Sequence, residues 1–132
     1  MMAIKFISEE VVLLIHSILL ERYGGRPGIR DKNLLDSALA QPRITIGGKY
    51  LQKTIFHKAA AYGFHICKNH AFVDGNKRVA FVLMDIFLQK NGWEIIADET
   101  SAYEMMINLA SSKMNKAQLA KWLEANCKRL KI

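Results

Sequence analysis

The chain is short of the residues that staple, break or anchor a protein. Only 2 cysteines occur, Cys67 and Cys127, and they form no Cys-x-x-Cys pair. Two are too few for a disulfide framework, so buried, reduced thiols in a cytoplasm are expected. Proline is as scarce, at 2 residues, and hydrophobic residues make up 51 %, which excludes disorder and predicts a packed globule. Apolar runs such as Val11 to Ile15 are short, far below the roughly 20 residues that span a bilayer. The start, Met1-Met2-Ala3-Ile4-Lys5 followed by Ser8-Glu9-Glu10, shows no signal peptide. No Walker-type or kinase-type glycine loop is present, and no serine sits in a Gly-x-Ser-x-Gly elbow. There is no repeat, linker or low-complexity segment. The expectation is one soluble cytoplasmic domain spanning residues 1–132, with a single core.

Charge, in contrast, is plentiful. The formal net charge is +7, which calls for an acidic partner, a nucleotide or a nucleic acid, without choosing between them.

The densest chemistry lies in His70-Ala71-Phe72-Val73-Asp74-Gly75-Asn76-Lys77-Arg78. The run that follows, Val79 to Leu88, is apolar but for Asp85, so a polar cluster stands where a buried helix begins. Helix starts carry unpaired N–H groups and a partial positive charge, which suits an anion. Lys77 and Arg78 oppose that dipole by roughly 0.3–1 kcal/mol each. A bound phosphate chain would reverse the sign.

Along the chain, Ile4 to Ile7 reads as a short edge strand. Ser8 caps a first helix carrying Val11, Val12, Leu14, Ile15, Ile18 and Leu19, which stops at Gly24-Gly25. Asp31 caps a second, with Leu34, Leu35, Ala38 and Leu39 on one side, ended by Pro42. Arg43 to Leu51 is β-branched and glycine-containing, a hairpin or flap. Near the site it would be a surface for holding a substrate segment by strand addition. A third helix, about Gln52 to Asn69, delivers His70 at its C-terminal end. The central helix runs from about Asn76 to Lys90, apolar on nearly every side and so surrounded by the others. Trp93 to Ile96 reads as a strand pairing with Ile4 to Ile7. A fifth helix places Tyr103, Met106, Ile107 and Ala110 at i, i+3, i+4 and i+7, on one face. A sixth has Asn115 as cap with Gln118 in the capping-box position, and Lys128, Arg129 and Lys131 form a basic tail. The fold class is all-α: a helical bundle around a buried central helix, with at most a minor β-hairpin.

Each motif residue has a bland role. His70 complements a helix dipole, Asp74 is a natural N-cap, and Asn76, Lys77 and Arg78 can be solvated. That account leaves the two first-turn cations unexplained. In the functional account, a histidine takes a proton from an attacking hydroxyl. A carboxylate offers a hard oxygen to Mg²⁺, and Asn, Lys, Arg and helix-start amides hold phosphate oxygens. Cys67-x-x-His70 lacks a second pair at zinc-site spacing. His16 and His57 fall in apolar helical patterns and read as structural, and His65 as a bystander.

The nine-residue stretch resembles the signature of the Fic/Doc superfamily, HxFx[D/E]GN[G/K]R. Its Asn-Lys-Arg ending, with Tyr23-Gly24-Gly25-x-Pro27-Gly28 and the helix order, is similar to the Doc branch, toxins of bacterial toxin–antitoxin pairs. The resemblance implies a helical Fic/Doc fold and nucleotide transfer to a protein hydroxyl, with ATP and Mg²⁺ as cofactors. Residue by residue, His70 would be the general base and Asp74 would position Mg²⁺. Gly75, Asn76, Lys77 and Arg78 would hold phosphates, and Phe72 would anchor the loop. Fic-type members pass on AMP, whereas Doc-like members are thought to pass on the γ-phosphate. The AMP-transferring branch has Gly after Asn and a second Arg three positions beyond the first; Lys77 and Phe81 stand there in this chain, which favours phosphoryl transfer. The family's inhibitory motif [S/T]xxxE[G/N] is missing, since Met105 follows Thr100-x-x-x-Glu104. Restraint would therefore come from another chain, a Phd-like antitoxin, and the first substrate to try is elongation factor Tu. The competing expectations are an AMP transferase, a basic binding module without chemistry, and a ribonuclease. Direct nucleic-acid binding and membrane association are not expected.

Overall fold

Short polar side chains set most of the helix starts. The computed structural model describes residues 3–131, so the ends of the expected 1–132 domain lie outside the described residues. Ser8 caps α1 (Glu9–Tyr23) by accepting from the Val11 N–H. Asp31 does the same for α2 (Lys32–Ala40), and a 3₁₀ turn (Gln41–Arg43) follows. Thr54 caps α3 (Ile55–Asn69), three residues later than the expected Gln52. The buried Gln52 keeps its carbonyl for the Lys58 ammonium, 2.8 Å away, instead of joining the helix. α4 (Asn76–Lys90) begins at the left-handed Gly75 with no side-chain cap. Asp98 caps α5 (Glu99–Ala110). Asn115 and Gln118 make a reciprocal capping box at α6 (Lys116–Ala125), which satisfies two otherwise orphaned donors.

Two consecutive helices form the centre. α3 and α4 are joined by residues 70–75 and pack along one another, so they run in opposite directions. A Cβ at Gly63 would overlap the Met84 side chain, so glycine there lets the two helices approach closely. The expectation of one central helix, α4, holds for its buried face of Val79, Ala80, Leu83, Met84, Phe87 and Leu88. Yet α3 is the more enclosed of the two, with 9 buried residues, because α2, α5 and α6 also lie against it. Each large apolar side chain taken from water there contributes about 1.5–3 kcal/mol.

The small sheets differ from expectation in one respect. β1 (Thr45–Ile46) and β2 (Lys49–Tyr50) form the expected hairpin. β3 (Trp93–Ile95) pairs not with Ile4 to Ile7 but antiparallel with β4 (Cys127–Arg129). Ile4 to Ile7 is occupied otherwise: Ile7 donates its N–H to Tyr62 at 3.0 Å, and the Lys5 backbone exchanges two 2.9 Å bonds with the Asn91 side chain. The expected basic tail is thus largely strand, with the Arg129 guanidinium 5.0 Å above the Trp93 ring. Among the described residues, six α-helices and two two-stranded ladders make up the all-α arrangement expected. No helix among them is long and apolar enough to cross a membrane.

Candidate active site

α3 ends by turning left-handed at His70, with φ 50° and ψ 48°. The chain then crosses to α4 in six residues, and two neighbours shape that crossing. The first is the loop after α1. Val73 N–H donates to the Gly28 carbonyl at 3.0 Å, and Arg30 N–H to the Ala71 carbonyl at 2.7 Å. The second is α1 itself. The buried His16 ring stacks on Phe72 with centroids 4.0 Å apart, and its Nε2 lies 2.9 Å from the Asp74 carbonyl oxygen. A carbonyl only accepts, so that nitrogen carries a hydrogen.

These supports bring the expected residues together. Phe72 is 1 % exposed and anchors the loop in the core. His70, Asp74, Gly75, Asn76, Lys77 and Arg78 all line one open groove of about 1010 Å³. Asp74 accepts at Oδ2 from the Arg26 N–H (3.2 Å) and at Oδ1 from the Gly75 N–H (2.9 Å). Those two bonds, the Arg26 one first, lower its pKa below the ordinary carboxylate value, so it is ionised at neutral pH. Gly25 makes this fit possible: at φ +119° its Cβ would stand 3.0 Å from Asp74 Oδ2.

Within the cluster the residues are committed to different degrees. Asn76 spends its amide on the loop, accepting from the Phe72 N–H and donating to the Phe72 carbonyl, both at 3.0 Å. Gly75 N–H already serves Asp74. Lys77 and Arg78 are exposed in the groove, and the Arg78 guanidinium rests 4.7 Å above the Tyr23 ring. Among the described residues Lys77 makes no ion pair.

Opposite the motif stands α5, which contributes Glu99, Ala102, Tyr103, Met106 and Ile107 to the groove. Of the face Tyr103, Met106, Ile107 and Ala110 read from the spacing, Met106 is buried, with Met105 and Leu109 beside it, but Tyr103 is 69 % and Ile107 38 % exposed. A groove leaves apolar residues on its wall uncovered, and periodicity cannot tell a wall from a core.

Several residues went unnoticed in the sequence. His16 is structural, as expected, but it holds the motif itself. A polar residue on the buried stripe of α1 was the signal. Arg26 acts through its backbone and Arg30 through its side chain, and neither has a local signature. His57, expected in an apolar pattern, is exposed, with Nδ1 2.6 Å from Thr54 Oγ1. The β1–β2 hairpin contributes nothing to the groove. It lies at the N-terminal end of α3, a helix of 15 residues and hence about 22 Å, whereas His70 lies at the other end.

Residues 6–88 match the Fic/DOC family. The chain is 39 % identical over 94 residues to Toxin Doc of Mycolicibacterium smegmatis, covering 71 % of this chain and 70 % of that protein. It is 24 % identical over 116 residues to Protein kinase doc of Escherichia phage P1, covering 88 % of this chain and 90 % of the phage protein.

Proposed function

The chain belongs to the Fic/DOC family, on its Doc side, and from that premise we propose a toxin that transfers the γ-phosphate of ATP to a protein hydroxyl. The observation that carries the reading is the grouping of His70, Asp74, Lys77 and Arg78 at the uncapped start of α4, in one groove. The names of the relatives, a toxin and a protein kinase, point the same way.

In this reading the triphosphate lies against the first turn of α4. Lys77 and Arg78 neutralise it, and the helix start adds its partial positive charge. His70 takes the proton of the attacking hydroxyl. The new oxygen–phosphorus bond forms as the bond to the departing ADP breaks, and the two cations stabilise the charge shifting onto the leaving oxygen. Asp74 fits Mg²⁺: it is an ionised, groove-lining carboxylate with one hydrogen bond on each oxygen, leaving lone pairs free. Mg²⁺ held there with the phosphates would supply further neutralisation of the β- and γ-oxygens. Asn76 keeps the loop in shape, and Phe72 with His16 fixes it to α1.

The family resemblance makes elongation factor Tu the first substrate to try and a Phd-like antitoxin the partner. The exposed Tyr103 and Ile107 on the groove wall suit an apolar segment of such a chain.

The test uses two ATP samples, labelled at the γ- or the α-phosphate. Each is mixed with the protein, Mg²⁺ and bacterial lysate or purified elongation factor Tu, with His70→Ala as control. Label from γ alone, lost in the variant, is the expected result. Label from α would replace the reading by AMP transfer. No label from either would favour a basic binding module.

A further inference from the structure

His70 holds a conformation that a side chain resists. Its φ of 50° and ψ of 48° crowd Cβ against the following carbonyl, and such a residue persists only where its surroundings over-determine it. The end of α3 also leaves carbonyls without helical partners. Here the backbone oxygens of Asn69, His70 and Ala71 all accept from one residue. Arg30 donates from Nη2 to the Asn69 oxygen at 3.0 Å and from Nε to the His70 oxygen at 2.6 Å. Its own N–H donates to the Ala71 oxygen at 2.7 Å, with Asp31 N–H adding a second bond at 3.1 Å.

Arg30 is exposed, so its guanidinium is free to turn to water. Among the described residues it makes no ion pair with a carboxylate. Its planar fork instead spans two successive carbonyls, which a lysine ammonium cannot reproduce in that geometry. Charge-assisted bonds of this length are among the stronger ones available.

We propose that Arg30 is a positioning residue for His70: by gripping the carbonyls on either side of the His70 Cα, it fixes the left-handed turn and so aims the imidazole into the groove. The catalytic part of this role rests on His70 being the base. An ordinary helix-end contact would add stability and leave the turnover of folded protein alone. A positioning contact changes turnover while nucleotide affinity, which depends on Lys77 and Arg78, stays put.

The experiment compares the full chain with Arg30→Ala and Arg30→Lys. Turnover of γ-phosphate transfer, calorimetric affinity for ATP with Mg²⁺, and the His70 backbone carbon shifts by NMR are measured below the melting transition. Arg30→Ala is expected to lower turnover about 10–100-fold, the scale of a small misplacement of a reacting group. Nucleotide affinity is expected to stay within about twofold, as Arg30 does not line the groove. Arg30→Lys should recover part of the rate, and the His70 shifts should leave left-handed values in Arg30→Ala. Unchanged turnover, or turnover and affinity falling together, would overturn the proposal. If the unaltered chain transfers no phosphate, the kinase reading fails, and the carbon shifts still decide: left-handed values kept in Arg30→Ala would refute the grip by themselves.

Discussion

α6 and α4 begin in opposite ways. At α6 the Asn115 side chain accepts from the Gln118 N–H and the Gln118 side chain accepts from the Asn115 N–H, both at 2.8 Å. Its first-turn cation, Lys116, has a partner too, the His65 ring 3.2 Å away. α2 behaves alike, its Lys32 lying 2.6 Å from Glu9 and 2.7 Å from Asp36. α4 starts otherwise: it has no side-chain cap, its Lys77 faces a groove and makes no ion pair among the described residues, and its Arg78 rests on the Tyr23 ring rather than on a carboxylate. One kind of start closes on its own side chains. The other leaves its cations opposing the helix dipole.

The contrast breaks most visibly at its catalytic edge. His70→Ala is expected to cost about 10²–10⁴-fold in turnover with an unaltered melting temperature, since His70 is exposed. Transfer kinetics alongside a thermal melt check this, and a rate close to that of the parent chain would remove His70 as base. Next comes Lys77→Gln, for which two effects of opposite sign are expected. ATP affinity should fall roughly tenfold or more with a charged phosphate contact gone. Unfolding free energy should rise by about 0.3–1 kcal/mol, because the cation no longer opposes the dipole. Calorimetry and urea unfolding on one preparation decide it, and a variant less stable as well as weaker in binding would erase the distinction between the two kinds of start.

Asn115→Ala is the mirror experiment. It should lose about 1 kcal/mol of stability and keep its transfer rate in folded protein, as read by the same two assays. A further effect is expected in pH dependence. Burial, with Lys116 beside it, pushes the His65 pKa down to about 4. Below about pH 6.5 the unfolded chain takes up a proton that the folded chain refuses, so stability falls as pH drops from 6.5 toward 4. His65→Gln should flatten the curve in that window, and urea midpoints at pH 7 and pH 5 would show it.

Much of this was legible because its signals are local. The caps at Ser8, Asp31 and Asn115, the stop at Gly24 and the bounds of α4 follow from residues within a turn of each boundary. The motif stood out because cations in a first turn contradict helix electrostatics. What escaped depends on partners distant in sequence. β3 finds β4 rather than Ile4 to Ile7 because Tyr62 and Asn91 have already taken that segment. Tyr103 and Ile107 look like core on a helical wheel and prove to be a wall. Arg30 serves residues 39 and 40 positions away, a distance at which no spacing rule operates.

The antiparallel pairing of α3 and α4 has an electrical consequence. Each helix is a dipole with its negative end at the C-terminus. The six-residue crossing therefore sets the negative pole of α3, at His70, beside the positive pole of α4, at Lys77 and Arg78. Between them runs a fixed field, made of peptide groups that do not reorient as a reaction proceeds. It favours a proton moving toward His70 and negative charge moving toward α4. Because Gly63 lets Met84 seat close against α3, a bulkier side chain at position 63, which does not itself line the groove, would push the two helices apart and so alter the field at the site.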